Sequence, residues 1–372
     1  MKYYIIAGEA SGDLHGANLM KSLYLEDSTA EIRFWGGDLM QNVGGTLVKH
    51  YRELAFMGFA EVILNLKTIF NNIKICKSDI ENFKPDVIIF IDYPGFNMRI
   101  AKWAKLKNIK AHYYISPQIW AWKENRIKDI KQDFDKLYVI LPFEKDFYEK
   151  KHGFKVEFVG HPLIDAIHNR TIISNQDFRN MHKLENKPII AILPGSRKQE
   201  ITKMLSVMLS VINNFPDYQF VIAGAPSQEY SFYEKFLTNY NVKFIANKTY
   251  DLLSHSYAAI VTSGTATLET ALFKVPEIVC YKANWFSYQI AKRIITLKYI
   301  SLVNLIMDKE IVTELIQENC NKKNLERELN KILDTSNRQY LMQQYDVLEQ
   351  KLGGVGASAK TAKLIIEDLK KS

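Results

Sequence analysis

The sequence is poor in the residues that staple or metallate a fold. Its three cysteines, Cys76, Cys280 and Cys320, lie far apart and form no C-x-x-C pair. That argues against a disulfide framework or a zinc knuckle and fits a reducing cytoplasm. The eight histidines show no H-x-H or H-E-x-x-H spacing, so no built-in metal site is expected. No run approaches the roughly 18 consecutive apolar residues of a membrane-spanning helix. Residues 1–7, with one lysine and a short apolar run, do not have the form of a secretory signal. Internal repeats and low-complexity tracts are missing as well. So is acid from 278 to 307, where Lys282, Lys292, Arg293 and Lys298 sit among Tyr281, Trp285, Phe286, Tyr288 and Tyr299.

What is present is material for two cores. A length of 372 residues with 47% hydrophobic content suffices for two ordinary domains. Short β-branched runs at 3–7, 87–91, 111–115, 137–141, 189–193, 220–223 and 258–262 alternate with helical patterns such as 98–107, 143–152 and 198–213. Most of the runs are apolar on both faces, as buried parallel strands are. The order predicts an α/β architecture of two Rossmann-like domains facing a cleft. A polar stretch at 165–187 marks the boundary between a domain at 1–165 and another at 187–340. The charged helical segment 341–372 then caps the second domain or crosses back to the first. A net charge of +8 favours an anionic partner: phosphate, nucleic acid or an acidic membrane.

In open α/β sheets ligands collect outside the carboxyl ends of the strands, so the loops after strands carry the information. The first, "GEASGDLHG", has glycines at 8, 12 and 16, with a helix expected from Asn18 onward. Its spacing is neither G-x-G-x-x-G nor Walker, so a dinucleotide site or P-loop is unsupported. It reads either as a place where a ligand approaches backbone or as a tight turn with Asp13 as N-cap. In "LPGSRKQE", Ser196 and Arg197 open a helix after a Pro-Gly turn, which suits a diphosphate and equally a surface arginine. In "TSGTATLE", Ser263, Gly264, Thr265 and Ala266 offer amides at a strand-to-helix turn. Glu269 lies one helical turn beyond Thr265, placed to accept hydrogen bonds from ribose hydroxyls or to be a solvated glutamate. In "IDYPGFN", Asp92 ends an apolar strand. Asn97 is better placed to cap a helix starting at Met98, and Pro94 delays any helix, which leaves Asp92 free to act as a general base.

The ordered series "AGEASGD", "MGFAEV", "IDYPGFN", "SPQIWAW", "LPFEKDFY", "FVGHP", "LPGSR", "SGTATLE" and "SLVNLI" resembles the motif series of the lipid-A-disaccharide synthase family from Gly8 to about Asn319. The resemblance implies a B-type glycosyltransferase fold. It also implies transfer of 2,3-diacylglucosamine from UDP-2,3-diacylglucosamine onto 2,3-diacylglucosamine 1-phosphate, yielding the β-1,6-linked disaccharide and UDP. It assigns catalysis to Asp92 with Glu9, and the acceptor to Gly8, Ser11, Asp13 and His15. It puts the nucleotide at Arg197, Glu269 and Asn304, beside Ser196 and the amides of Ser263, Gly264, Thr265 and Ala266 that the loops themselves offer. The family's second aspartate in some members is Gly95 here, a proline is Val303, and an aliphatic residue is His15. No cofactor beyond the sugar-nucleotide substrate is implied. The rival readings are a UDP-N-acetylglucosamine 2-epimerase-like isomerase and a non-catalytic, nucleotide-gated membrane-binding protein.

Acylated substrates imply contact with the anionic inner membrane from its cytoplasmic face. Phe59, Val62, Ile63, Leu66, Ile69, Phe70 and Ile73 form an apolar helical stripe, flanked by Lys67 and Lys74. It suits acyl chains or docking on the protein's own sheet. Trp285, Phe286, Lys292 and Arg293 are the second candidate membrane contact. Their aromatic and basic composition also suits RNA, but no RNP or KH signature accompanies it and no nucleic-acid partner is expected. Homodimers through exchanged C-terminal segments occur in some family members. "QDFDK" holds a D-x-D pair, Asp133 and Asp135, but it precedes a strand, the wrong end of a sheet for a ligand. Activity is therefore expected to persist in a chelator; loss in EDTA with recovery in Mg²⁺ or Mn²⁺ would show that a metal is needed.

Overall fold

Runs apolar on both faces belong in the middle layer of a helix–sheet–helix stack, and the chain builds two such stacks. The computed structural model describes residues 1–54, 66–283 and 298–371. Two compact units emerge, Met1–His168 with Leu352–Ser372, and Asn169–Lys351.

The first unit contains β1 (Lys2–Ala7), β2 (Glu31–Gly36), β3 (Thr46–His50), β4 (Val87–Ile91), β5 (Ala111–Tyr114), β6 (Lys136–Val139) and β7 (Glu157–Phe158). They form one parallel sheet in the order β3-β2-β1-β4-β5-β6-β7. The second contains β8 (Ile189–Leu193), β9 (Gln219–Gly224), β10 (Val242–Ala246), β11 (Ser256–Thr262), β12 (Glu277–Tyr281) and β13 (Thr313–Ile316). Its parallel order is β10-β9-β8-β11-β12-β13. Each sheet reverses its winding once, between β1 and β4 and between β8 and β11. Crevices open at such reversals, beyond the carboxyl ends of the two strands.

Two helix starts differ from the sequence expectation. The first helix is Ala10–Glu26, not one from Asn18. Gly12 and Gly16 are one turn apart on its buried side: a Cβ on Gly12 would meet the Ala7 Cβ at 3.1 Å, and one on Gly16 the Met40 sulfur at 2.6 Å. Glycine here lets a helix lie close to its sheet. The helix after β4 is Pro94–Leu106, not one from Met98. Proline suits the first helical position, where its missing N–H is not needed. Asn97 is thus inside the helix, buried, rather than its cap.

Segment 341–372 is not one element. Helix Thr335–Lys351 belongs to the second unit and helix Ala357–Lys370 to the first. The latter is capped from far away in sequence: the buried Asp165 carboxylate accepts from the amides of Gly356 (2.6 Å) and Ser358 (2.8 Å). At its other end Asp368 meets Lys110, His112 and Lys136 at 3.0, 3.2 and 3.3 Å. In the helix Leu66–Phe83 the described part of the apolar stripe splits. Ile73 packs on the core, Ile69 is half-buried, and Phe70 is 63% exposed. Phe59, Ile63, the Leu66 side chain, Trp285, Phe286, Lys292 and Arg293 lie outside the described residues.

In the second unit Glu277 is fully buried at the start of β12, and neither carboxyl oxygen has a hydrogen-bond partner. Burial pushes its carboxyl well above the usual 4.5. The unfolded chain therefore ionises first, and ionisation favours unfolding. Stability from this residue is full below the unfolded value and falls by about 1.4 kcal/mol per pH unit above it. Glu277→Leu is expected to flatten urea-derived stability between about pH 5 and 8. Equal slopes for wild type and variant would assign the pH dependence to another group.

Candidate functional site

In the first unit the reversal between β1 and β4 brings Gly8 and Glu9 beside Asp92. Asp92 and Tyr93 both adopt the left-handed region, with φ of 44° and 50°. Two successive non-glycine residues there cost on the order of 1–3 kcal/mol each, and the junction is pinned accordingly. The Asp92 carbonyl accepts from Asn97 Nδ2 (2.6 Å) and the Tyr113 hydroxyl (2.8 Å), and its amide donates to the Tyr114 carbonyl (3.3 Å). The turn folds the Tyr93 ring over Gly8, where a Cβ would stand 2.3 Å from ring carbons. Gly8 is thus required by the protein's own packing.

This geometry leaves the Asp92 carboxyl half-buried. Burial first, and the negative charge of Glu9 second, push it up to about 6, partly offset by the Tyr93 amide. Glu9 itself is exposed and precedes the first helix without a side-chain cap. A carboxyl that ionises near neutrality and faces an exposed second carboxylate is suited to accepting a proton.

The other residues expected around the acceptor divide. Ser11 is exposed in the first helical turn. Asp13 is neither a cap of its own helix nor free for a sugar. It is buried, and its oxygens accept from the amides of Gly37 (2.8 Å), Leu39 (3.1 Å) and Met40 (3.0 Å), capping the neighbouring helix Asp38–Val43. The buried setting of His15 lowers it to about 4, so it is neutral near pH 7, and its Nδ1 has no hydrogen-bond partner.

In the second unit the reversal lies between the loops after β8 and β11. Gly195 turns the chain at φ +103°, and Arg197 opens the helix Lys198–Leu209 with its side chain 78% exposed. The Ser196 carbonyl is held by Ser227 Oγ (2.8 Å). After β11, Ser263 is occupied, its amide on Cys280 and its hydroxyl on Ile300 (both 2.9 Å). The anion-facing reading therefore contracts to the amides of Gly264, Thr265 and Ala266, because the opening amides of a helix have no intrahelical acceptor. Asn304 is corrected outright. It is fully buried, donates to Val312 and Glu314 (2.8 and 2.9 Å), and accepts from the Ile311 and Val312 amides (2.7 and 3.0 Å). No polar valence remains for a nucleotide.

Glu269 accepts from the Tyr250 hydroxyl at 2.9 Å, and burial raises its carboxyl. Tyr250 borders an open pocket of about 420 Å³, shared with Arg170, Pro226, Asn247, Lys248 and Asp251. These residues follow the carboxyl ends of β9 and β10 or flank them, and sequence reasoning missed them. The signal was there: "NKTYD" directly follows a strand.

Known proteins share this fold. A bound UDP-N-acetylglucosamine 2-epimerase from Neisseria meningitidis, solved with UDP-GlcNAc, superposes with a TM-score of 0.66 at 15% identity, covering all of both chains. The glycotransferase of kitacinnamycin gives a TM-score of 0.66 at 13% identity over 98% of each chain. Likeness at this identity defines the class of fold, the two-domain B-type glycosyltransferase fold, and no particular chemistry. The family described as lipid-A-disaccharide synthetase matches residues 3–365. Lipid-A-disaccharide synthases from Syntrophus aciditrophicus and Geobacter sulfurreducens are 37% and 34% identical, each over 99% of this chain and 98% and 97% of their own. The chain belongs to the lipid-A-disaccharide synthase family.

Asp92 is expected to titrate near pH 6 in a carboxyl-resolved ¹³C NMR experiment, and Glu9→Gln to lower that value by removing a like charge. Ordinary titration near 3.8 in both proteins would mean that the carboxyl is not held as described.

Proposed function

We propose that this protein joins UDP-2,3-diacylglucosamine to 2,3-diacylglucosamine 1-phosphate, forming the β-1,6-linked lipid A disaccharide 1-phosphate and releasing UDP. One observation carries the reading: in each sheet the winding reversal coincides with the loops whose chemistry the reaction needs. A shifted carboxyl stands at one, and an exposed arginine with helix-opening amides at the other.

Asp92 takes the proton from the acceptor 6-hydroxyl as it attacks the anomeric carbon with inversion, through an oxocarbenium-like transition state. Glu9 keeps the carboxyl from ionising too early. Arg197 and the amides of Gly264, Thr265 and Ala266 stabilise the charge that appears on departing UDP. Glu269, oriented by Tyr250, accepts from the ribose hydroxyls, and the pocket beside it takes the base. The acylated substrates and the exposed Phe70 support work at the anionic cytoplasmic face of the inner membrane. Among the described residues no helix is long and apolar enough to cross it.

Mass spectrometry of protein, UDP-2,3-diacylglucosamine and the monosaccharide 1-phosphate is expected to show an acylated disaccharide phosphate with stoichiometric UDP. Asp92→Asn should slow turnover by roughly 100- to 10,000-fold while UDP binding persists. Near-normal turnover in that variant would remove Asp92 as the base. A product that is only an epimerised sugar nucleotide would replace transfer with isomerisation.

A further inference from the structure

The carboxyl end of β5 carries a second set of reactive side chains in the first unit. The strand leads into the loop "ISPQIWAWKENR", which begins with Ile115 in the left-handed region at φ 61°. Glu144 fixes that loop from below. Its buried carboxyl accepts from the amides of Ile140 (3.1 Å) and Leu141 (2.9 Å), from Trp120 Nε1 (3.2 Å) and from Ser116 Oγ (3.3 Å). The loops after β5 and β6 are thereby knotted at one group. Trp120 also packs edge-on against Phe143 with 4.8 Å between centroids.

On the loop so held, Trp122 is 58% exposed, and the Lys123 ammonium lies 3.9 Å from its ring centroid. The next helical turn ends in Arg126. The Arg126 amide donates to the Lys123 carbonyl at 3.0 Å, so both cations leave one turn of chain, and Lys123 is lowered from its ordinary value, by partial burial first and by Arg126 second. Neither makes an ion pair among the described residues. The one acid in the same turn, Glu124, is already taken by Lys151 at 2.7 Å and His152 at 3.0 Å. Arg126 also lies near enough to Tyr113 to act on its ionisation, and the Tyr113 hydroxyl is the one that holds the Asp92 carbonyl. The basic loop and the strained junction follow neighbouring strands, β5 and β4, whose pairing sets Tyr114 opposite Ile91.

Two adjacent cations that share no counter-ion repel each other weakly in water, and turning that repulsion into attraction needs a dianion held between them. A phosphomonoester meets that need, with the arginine fork able to grip two of its oxygens. We propose that Lys123 and Arg126 bind the anomeric phosphate of the sugar 1-phosphate acceptor, with Trp122 covering an apolar part of the same molecule. The assignment rests on the reaction proposed above. It adds a reason for accepting a phosphorylated monosaccharide over its phosphate-free counterpart, and it explains why a solvent-facing loop is anchored by a buried carboxyl.

The test compares two acceptors, 2,3-diacylglucosamine 1-phosphate and the same lipid without phosphate, in wild type, Lys123→Gln, Arg126→Gln and the double variant. Loss of a charge-assisted contact is expected to raise KM for the phosphorylated acceptor by about tenfold or more per residue. Donor KM should stay unchanged, and the preference for phosphate should collapse in the double variant. Arg126→Lys should recover part of it. Undiminished preference in the double variant would overturn the assignment. So would a variant that leaves preference intact but releases protein from phosphatidylglycerol–phosphatidylcholine vesicles, since the pair would then be reading bilayer headgroups. Line broadening of the ³¹P signal of glucosamine 1-phosphate supplies a readout without turnover: broadening by wild type and none by the double variant supports the site even if the transfer reaction fails, and equal broadening by both removes it.

Discussion

The arrangement of the first unit depends on the turn that ends β4. A parallel strand must give way to a helix within a few residues, and here it does so through two left-handed non-glycine residues, Asp92 and Tyr93. Asn97 and Tyr113 both hold the Asp92 carbonyl, one from the following helix and one from the next strand. Fixing the backbone there sets where the side chain leaves the chain, and the carboxyl stands half-buried and within the field of Glu9. The strain is local; the bonds that sustain it come from elements which the sheet and its helices already place.

Much of this was legible in the sequence and some was not, for identifiable reasons. Strands such as 87–91 and 189–193 were readable because burial on both faces leaves an uninterrupted apolar run, and both match their observed bounds. β3, with every residue at least partly exposed, has no such run. The glycines at 8, 12 and 16 were visible, but their spacing of four is a helical period, with 12 and 16 inside the helix. The reason for each is an intramolecular neighbour that only the fold supplies: Tyr93, Ala7 and Met40. Asp13 and Asn304 stood in motifs and looked like ligand groups. Their polar atoms are spent on backbone amides and carbonyls brought from elsewhere in the chain, which sequence proximity cannot reveal. Tyr250 was missed because its partner, Glu269, is reached only through the packing of two helices.

The same distinction explains how the buried acids are used. Asp165, Asp13 and Glu144 each accept two or more hydrogen bonds from a segment remote in the chain. A carboxylate can tie several amides at once because it offers about four acceptor positions. Each acts as a clasp between pieces that hydrophobic contact alone would leave free to slide. Glu277, which clasps nothing, stands out against them.

The first unit is built from two stretches of chain, Met1–His168 and Leu352–Ser372, with the whole of the other unit between them. On the ribosome, residues 1–168 emerge long before the helix that Asp165 caps and Asp368 anchors. The nascent first unit must therefore wait, with the faces of helix Ala10–Glu26 and of Pro162–His168 that receive the late helix uncovered, while 169–351 are synthesised and can fold as a contiguous piece. Order of synthesis and order of completion are thus reversed: the half that begins first finishes last, and chaperone demand should fall on it.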